Sequence, residues 1–413
     1  MPTTQALIEK RRQKALQVLK PTRSQLQHGL ELHRESIVCD TFGFMPSVWT
    51  RGLFEHINKT LEDGASVGEW MAEMTNARFT NMTTDAQGAA DFILALKSAG
   101  LAGMVHTVGG EGPPEQSLPN MAARAHVCRV FHKHMVQVGG TQELRLAKKQ
   151  GRTAIIFSVN GPPGVMTDRA DAFKWLKVWY HMGVRLMHLS YNRRNHIAGG
   201  CTESANDGLS DYGREYVKKM NEVGIIVDTP HSSAQTVLDA ARVSTKPIMA
   251  SHIGVRRLFE HPRCKSDEEL KAIAGTGGLI GIYNYPNMLG PEANINTLLD
   301  HVDAAVKLIG ASHVAIGTDV SYVPGVWAPK QVKLHPATQA ARERARHAAG
   351  WKEEHRKYAH DDHLLGSLAW TNWPLFTVGL VMRGYKDSDI RKILGENLIR
   401  VLDANRPADE VAP

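Results

Sequence analysis

The chain has 413 residues, of which 42% are hydrophobic and 22% charged, a balance typical of a globular protein that buries a large core. Its four cysteines show no C-x-x-C spacing, which argues against a disulfide framework or a structural zinc finger and fits a reducing compartment. The net charge of +7 is not accompanied by a basic helix interleaved with aromatic residues, so we expect a solvated basic surface and no nucleic-acid partner.

The first 35 residues are basic and carry no apolar core of the kind that a secretory signal needs. No apolar run approaches the roughly 18 residues that a membrane-spanning helix requires. We therefore expect a cytoplasmic protein without a membrane partner, and we expect residues 1–35 to form a helical arm in front of the main domain.

Eight short apolar runs rich in β-branched residues recur along the chain, mostly separated by stretches with helical periodicity. They cover residues 36–44, 100–108, 152–161, 184–191, 224–231, 246–252, 278–284 and 313–319. Runs without strict polar alternation are typical of parallel strands buried on both faces, and eight such strands with right-handed crossovers close into a ring. The sequence therefore predicts a single α/β domain at 36–413, a (β/α)8 TIM barrel. An open doubly wound sheet is the alternative, but no G-x-G-x-x-G follows the first strand.

Two long segments do not fit the strand–helix repeat. One lies at about 49–85, after the first predicted strand, and the other at about 322–362, after the eighth. Because both leave from carboxyl ends of strands, we expect them to form walls or lids over the mouth of the barrel.

Chemistry in such a barrel is carried at the carboxyl ends of the strands. The fifth and sixth predicted strands end in His231 and His252, and the eighth ends in Asp319. A single histidine at a strand end is more often a hydrogen-bonded structural group, but two imidazoles and a carboxylate at three strand ends favour a site for zinc or another divalent ion. We interpret His188 as a structural residue, although its position near a strand end would also allow it to line the mouth of the barrel.

Three segments carry a family resemblance. They are GLSDYGREYVKKMNEVGIIVDTPHSSAQTVLDAARVSTKPIMASHIGVRRLFEHPRCKSDEELKAIAGTGGLIGI, LIGASHVAIGTD and RGYKDSDIRKILGENLIRVL. In order and spacing the chain resembles the membrane dipeptidase family, peptidase family M19, from about Ser36 to Asp403. The resemblance implies a barrel of the metallo-dependent hydrolase type with two zinc ions. It also implies hydrolysis of dipeptides, often with a D-residue at the carboxyl end, and a homodimer.

Carried onto matching positions, the resemblance implies that His231 and His252 bind one metal ion. Asp319 corresponds to the aspartate that holds the attacking water, and Arg263 to the arginine that binds the substrate carboxylate. A guanidinium suits that role because it donates two parallel hydrogen bonds to one carboxylate.

The resemblance fails at the other metal position. The family's first strand ends in Asp-Gly-His-x-Asp, whereas this chain has DTFGF, so that Phe42 and Phe44 replace both ligands. Asn160 replaces the bridging glutamate of the third strand. Tyr191 matches the substrate-contacting histidine of the fourth strand, although a one-residue shift of the match would place His188 nearby. Phenyl rings cannot bind zinc, and a neutral amide is a poor bridge between two cations.

We therefore predict one zinc or other divalent ion per chain, held by His231, His252 and Asp319, with a metal-free site as the alternative. The predicted activity is hydrolysis of a dipeptide or a related small amide that carries a carboxylate. Asp319 would act as the general base and Tyr191 would donate a hydrogen bond to the developing oxyanion. The predicted substrate contacts are Arg263, Asn160, Phe42 and Phe44. The alternatives are a non-catalytic small-molecule-binding protein and a different reaction, such as a lyase or isomerase step, on the same barrel.

Overall fold

The structure is a computed structural model of the full chain. It describes residues 3–48, 51–162, 169–320, 322, 336–358, 366–407 and 410.

The described chain is built around one parallel sheet. Eight strands follow one another in the order β1-β2-β4-β5-β6-β7-β9-β10, and two short strands, β3 and β8, pair at its margin with β4 and β7. The strands are β1 Cys39–Gly43, β2 Gly103–Gly109, β3 Met135–Gln137, β4 Thr153–Val159, β5 Val184–His188, β6 Ile226–Asp228, β7 Met249–Val255, β8 Cys264–Lys265, β9 Leu279–Ile282 and β10 Val314–Ile316. All eight predicted strands are confirmed, and β3 and β8 were not predicted.

The ends of β1 and β10 close the ring. The amide of Asp319 donates to the carbonyl of Phe42 over 2.7 Å, and the amide of Phe44 donates to Val320 over 3.3 Å. Asp40 in β1 reinforces this seam, because its Oδ1 accepts a hydrogen bond from the Thr318 amide at 2.8 Å. The predicted (β/α)8 TIM barrel is confirmed.

Helices surround the strands. They run Thr4–Leu19, Arg23–Glu35, Arg51–Glu62, Val67–Thr80, Ala86–Ala99, Pro114–Val130, Thr141–Lys149, Arg169–His181, Asp211–Val223, Ala234–Val243, Asp267–Gly275, Pro286–Leu289, Ile295–Ile309, Pro336–Ala348, Trp373–Met382, Asp387–Arg391 and Asn397–Asn405. A π-helical stretch over Lys392–Glu396 joins the last two.

Serine caps begin the helices that follow the site-bearing strands. Ser233 accepts a hydrogen bond from the Thr236 amide, and Ser266 forms a capping box with Glu269. Such side chains satisfy amide groups that have no partner inside the helix. Short capped connections fix where each strand ends, and so fix the position of the side chains at the mouth.

The strands are apolar because both of their faces are covered. All seven residues of β4 and all seven of β7 are buried. Helices cover the outer face and neighbouring strand side chains fill the inner face, as in other parallel barrels. A polar side chain inside the ring is therefore unusual and needs a hydrogen-bond partner.

The N-terminal arm packs against the barrel as two helices. His33 in the second of them is buried, with Nδ1 at 2.8 Å from Thr377 Oγ1 and Nε2 at 3.0 Å from the carbonyl of Ala99. In the described residues no helix is both long and apolar enough to cross a membrane. The four cysteines are free; Cys201 is half-buried and the other three are buried.

The described parts of both long insertions lie near the mouth. In the first, Phe79 packs its ring 5.6 Å from His106 of β2. In the second, the carbonyl of Ala349 accepts a hydrogen bond from Asn192 Nδ2 at 2.9 Å, and Trp351 lies with its ring 6.5 Å from His231. These contacts bring parts of both insertions to the barrel, and their role as walls or lids over the mouth stays a prediction. Residues 49–50, 323–335 and 359–362 of the insertions lie outside the described residues.

Candidate metal centre and substrate site

Three of the predicted site residues meet at the carboxyl ends of neighbouring strands. His231 lies three residues after β6, His252 lies within β7, and Asp319 lies three residues after β10. Both histidines are buried and Asp319 is half-buried. The ring centres of the histidines are 5.2 Å apart.

The two imidazoles point their Nε2 atoms at each other across 3.2 Å. The opposite nitrogens are both occupied: His231 Nδ1 lies 2.7 Å from Asn192 Oδ1, and His252 Nδ1 lies 2.9 Å from Ser251 Oγ. Partners of this kind fix the ring orientation of metal-binding histidines in other proteins.

These partners determine which nitrogen carries the proton. Asn192 donates through Nδ2 to a carbonyl, so its Oδ1 faces His231 as an acceptor. Ser251 Oγ donates to Asp228 Oδ2 at 2.5 Å, so it accepts from His252. We infer that both Nδ1 atoms hold the proton and that both Nε2 atoms are bare.

Two bare nitrogens thus face each other with no proton between them. Burial, and next the positive charge of Arg263, lower the pKa of His231 and of His252 well below the usual range, so neither ring is protonated at neutral pH. Two lone pairs at this distance repel unless a cation lies between them.

Asp319 occupies an unusual backbone position. Its φ of +52° is in the left-handed region, which aspartate tolerates better than most residues. The Tyr283 hydroxyl donates to its Oδ2 at 2.9 Å. Burial raises the pKa of Asp319 to about 6, while the charge of Arg263 and the Tyr283 hydrogen bond act in the opposite direction.

Arg263 contacts the backbone next to the two histidines and is 1% exposed. Its Nε donates to the carbonyl of Pro230 at 2.9 Å and its Nη2 to that of His252 at 3.0 Å. Nη1 has no hydrogen-bond partner among the described residues. The guanidinium is therefore fixed in place, yet it keeps donors for an anion.

Aromatic rings flank the two imidazoles. Tyr191 stacks on His231 and Phe42 stacks on His252, each with ring centres 4.0 Å apart. Phe44 meets Phe42 edge-on at 6.0 Å. All three are predicted site residues that the structure brings together.

Asn160 follows β4. Its side-chain oxygen is buried and has no hydrogen-bond partner among the described residues. The side-chain oxygen is therefore free to accept a hydrogen bond from a ligand. A purely structural asparagine would have its buried oxygen hydrogen-bonded within the protein.

A cavity of about 1190 Å³ lies beside this centre and not at it. Its lining includes Glu111, Asn195 and His196 and none of the predicted site residues. Glu111 connects the two regions, because its Oε1 accepts hydrogen bonds from the Tyr191 amide at 3.0 Å and from Asn195 Nδ2 at 2.7 Å. The paired imidazoles define the candidate site, because the chemistry of their donor atoms is more specific than the volume of a cleft.

Several residues of the site were not assigned a role from the sequence. These are Asn192 and Ser251, which orient the histidines, Tyr283, which binds Asp319, and Trp351 of the second insertion. For Asn192, Ser251 and Tyr283 the only available signal is their position at or next to a strand end. Trp351 carries no such signal, because its contact depends on the path of a long connection.

Residues 31–332 match the model of the membrane dipeptidase family, peptidase family M19. The chain belongs to this family. Solved members are described as metallopeptidases, and membership implies a divalent metal ion.

Individual relatives agree with this membership. The chain is 27% identical to dipeptidase tcpJ from Claviceps purpurea over 64% of this chain and 53% of that protein. It superposes with a TM-score of 0.64 on an amidohydrolase from Pseudomonas aeruginosa, at 25% identity over 91% and 98% of the two chains. The probable dipeptidase PvdM from the same organism shares the fold at 19% identity, over 93% and 98%, with a TM-score of 0.64. The chain spans about half the length of the curated relatives it matches.

For a membrane dipeptidase-family chain, β1 is unusual. The resemblance implies a metal-binding histidine and a metal-binding aspartate at two positions of this strand end. Phe42 and Phe44 occupy these positions, and the Phe42 ring stacks on His252. Neither ring has an atom able to bind a metal ion. Among the described residues no three His, Cys, Asp or Glu side chains already have their ligand atoms gathered as a metal site.

Proposed function

We propose that this protein is a metal-dependent hydrolase that cleaves a dipeptide or a related small amide carrying a carboxylate. The observation that carries the proposal is the pair of Nε2 atoms of His231 and His252, which face each other across 3.2 Å. Family membership supports the same reaction class.

The donor pair fits one divalent ion. Two nitrogens bound to one tetrahedral zinc at about 2.0–2.1 Å lie about 3.3 Å apart, close to the observed separation. Both rings are already oriented by Asn192 and Ser251, as metal ligands require. An ion held there supplies Lewis acidity, which polarises a carbonyl and makes water a nucleophile at neutral pH.

Asp319 is the proposed general base. With its pKa raised to about 6 it is mostly ionised at neutral pH and still close enough to neutrality to accept and return a proton. The Tyr283 hydroxyl, which donates to Oδ2, orients the carboxylate.

Tyr191 is the proposed donor to the oxyanion. Burial, and next the charge of Asp319, raise its pKa to about 12, so the hydroxyl keeps its proton throughout the neutral range. Its ring is held against His231 and therefore next to the proposed reaction centre.

Arg263 is the proposed anchor for the substrate carboxylate, through the donors that its backbone contacts leave unused. Asn160 offers its unpaired oxygen, and Phe42 and Phe44 offer apolar surface. A substrate with an acid group at one end and an apolar side chain fits this set.

We propose one metal ion per chain, because Phe42 and Phe44 remove the ligands of a second ion. The same two rings favour the alternative of a metal-free binding protein. We further propose a cytoplasmic location and a homodimer, neither of which depends on the geometry of the site.

The experiment is reconstitution of the purified protein with zinc, cobalt or manganese, followed by a panel of dipeptides that includes D-residues at the carboxyl end. We expect hydrolysis that requires added metal and that is lost in His231→Ala and in Asp319→Asn. As the control, the same peptides with an amidated carboxyl end should react much more slowly, since they lack the group that Arg263 binds. Absence of hydrolysis from every peptide with every metal would contradict the proposal.

A further inference from the structure

A third imidazole lies against the proposed metal ligands. His188 is the last residue of β5 and is fully buried. Its ring centre lies 5.3 Å from that of His231 and 5.5 Å from that of His252, and those two are 5.2 Å apart. The three rings form a nearly equilateral triangle.

The size of this triangle matches three ligands of one ion. For a zinc–nitrogen bond of about 2.0–2.1 Å the ring centre lies about 3.2 Å from the metal, so the centres of tetrahedral imidazole ligands lie about 5.2 Å apart. Packed aromatic rings also lie about 4.5–7 Å apart, so the spacing allows a shared ion, and the unused nitrogens of His188 carry the argument.

The nitrogens of His188 are unused. Neither makes a hydrogen bond in the described part of the chain, although both are buried. Nε2 approaches Asp228 Oδ2 to 3.2 Å without the alignment of a hydrogen bond, and that carboxylate is already bound by the amide and hydroxyl of Ser251. A buried imidazole with one carboxylate nearby and no aligned hydrogen bond has both nitrogens available, and binding of a metal ion would use one of them.

We propose that His188 is the third protein ligand of the metal ion, which makes a three-histidine site with His231 and His252. The proposal rests on the metal site of the proposed function and changes its composition. Because no three ligand atoms in the described residues already converge, His188 has to turn its ring on binding, and no hydrogen bond opposes that turn.

This assignment separates two tasks that Asp319 was predicted to combine. The Asp319 carboxylate is bound by Tyr283 and is left as the base. His188 supplies a third nitrogen to the ion held by His231 and His252, and Asp228 lies beside it as the acceptor for its second nitrogen. Three imidazoles and one open position are a common arrangement for catalytic zinc.

The test compares His188→Phe with Asp319→Asn in titrations with cobalt and zinc, read by visible absorption of the cobalt protein and by competition with a chelator. Phenylalanine keeps a ring in the aromatic surroundings and removes both nitrogens. Loss of a residue that only orients a ligand costs about 10–100-fold in affinity, so we expect His188→Phe to lose at least about 100-fold. We expect Asp319→Asn to keep affinity within about threefold. His301→Gln, a buried histidine outside the triangle, is the matched control.

X-ray absorption of the zinc-loaded wild type gives an answer that does not depend on the folding of any variant. Three imidazole scatterers support the proposal. Two imidazoles, or unchanged affinity in a folded His188→Phe, overturn it and leave the proposed function standing. If only Asp319→Asn loses affinity for the metal, the proposal is overturned and Asp319 is the third ligand. If the wild type binds neither metal, the metal site of the proposed function fails and the third ligand fails with it.

Discussion

Replacement of Asn192 by alanine tests the inferred protonation of the histidine pair. Asn192 Oδ1 accepts from His231 Nδ1 at 2.7 Å, inside a buried region. Without it a buried N–H loses its acceptor, which costs about 1–3 kcal/mol of unfolding free energy. Removal of an orienting partner of this kind weakens metal binding about 10–100-fold, or about 1.4–2.8 kcal/mol.

A glycine variant separates the side chain from the backbone. Asn192 has a φ of +61°, a conformation that asparagine and glycine adopt and that costs most other residues roughly 1–2 kcal/mol. Asn192→Ala should therefore lose more stability than Asn192→Gly, whereas both should lose the same affinity for metal. Denaturant unfolding of metal-free protein measures the first quantity, and zinc calorimetry with a competing chelator measures the second.

If both variants bind zinc within about twofold of the wild type, Asn192 does not orient His231, and the inference that both Nε2 atoms are bare fails. If only the alanine variant loses affinity, the backbone conformation and not the amide is responsible.

Two further predictions concern the lost second ion and the N-terminal arm. The triple variant Phe42→His, Phe44→Asp and Asn160→Glu restores the ligand types of the family pattern. We expect elemental analysis to show that its metal content rises from one ion to two per chain. No increase would mean that the second metal site was lost through more than these three substitutions. Burial lowers the pKa of His33 to about 4, below its unfolded value of 6.5, so its contribution to stability is present above pH 6.5 and is lost as the pH falls through 4. The loss amounts to roughly 3 kcal/mol. His33→Gln should flatten the fall in unfolding free energy between pH 6.5 and 4, and an unchanged slope would show that His33 is already protonated in the folded arm.

The barrel was predictable because its strands are long apolar runs. Residues 152–161 and 246–252 mark β4 and β7, whose side chains are all buried. Unlike the equally short β6 and β10, the two marginal strands, Met135–Gln137 and Cys264–Lys265, do not lie within longer apolar runs. Their pairing with β4 and β7 follows from tertiary structure, not from local sequence.

The meeting of His231 and His252 was also predictable, since carboxyl ends of parallel strands share one side of a barrel. The sequence does not show in which direction an imidazole nitrogen points. The roles of Ser251 and Tyr283 depend on that direction, and that of His188 depends on the depth of its ring inside the barrel. The contact of Trp351 with His231 depends on how a long insertion returns to the mouth.

Metal content per chain tests the central claim most directly. Protein purified without a histidine tag or chelator and analysed by plasma mass spectrometry should contain about one divalent ion per chain. The ion should be absent from a His231→Ala and His252→Ala double variant that still folds. Two ions per chain would contradict the single-ion site, because they would require ligands in place of Phe42 and Phe44. No ion, even after reconstitution with zinc, cobalt or manganese, would contradict the metal-dependent hydrolase and favour a binding protein on the dipeptidase barrel.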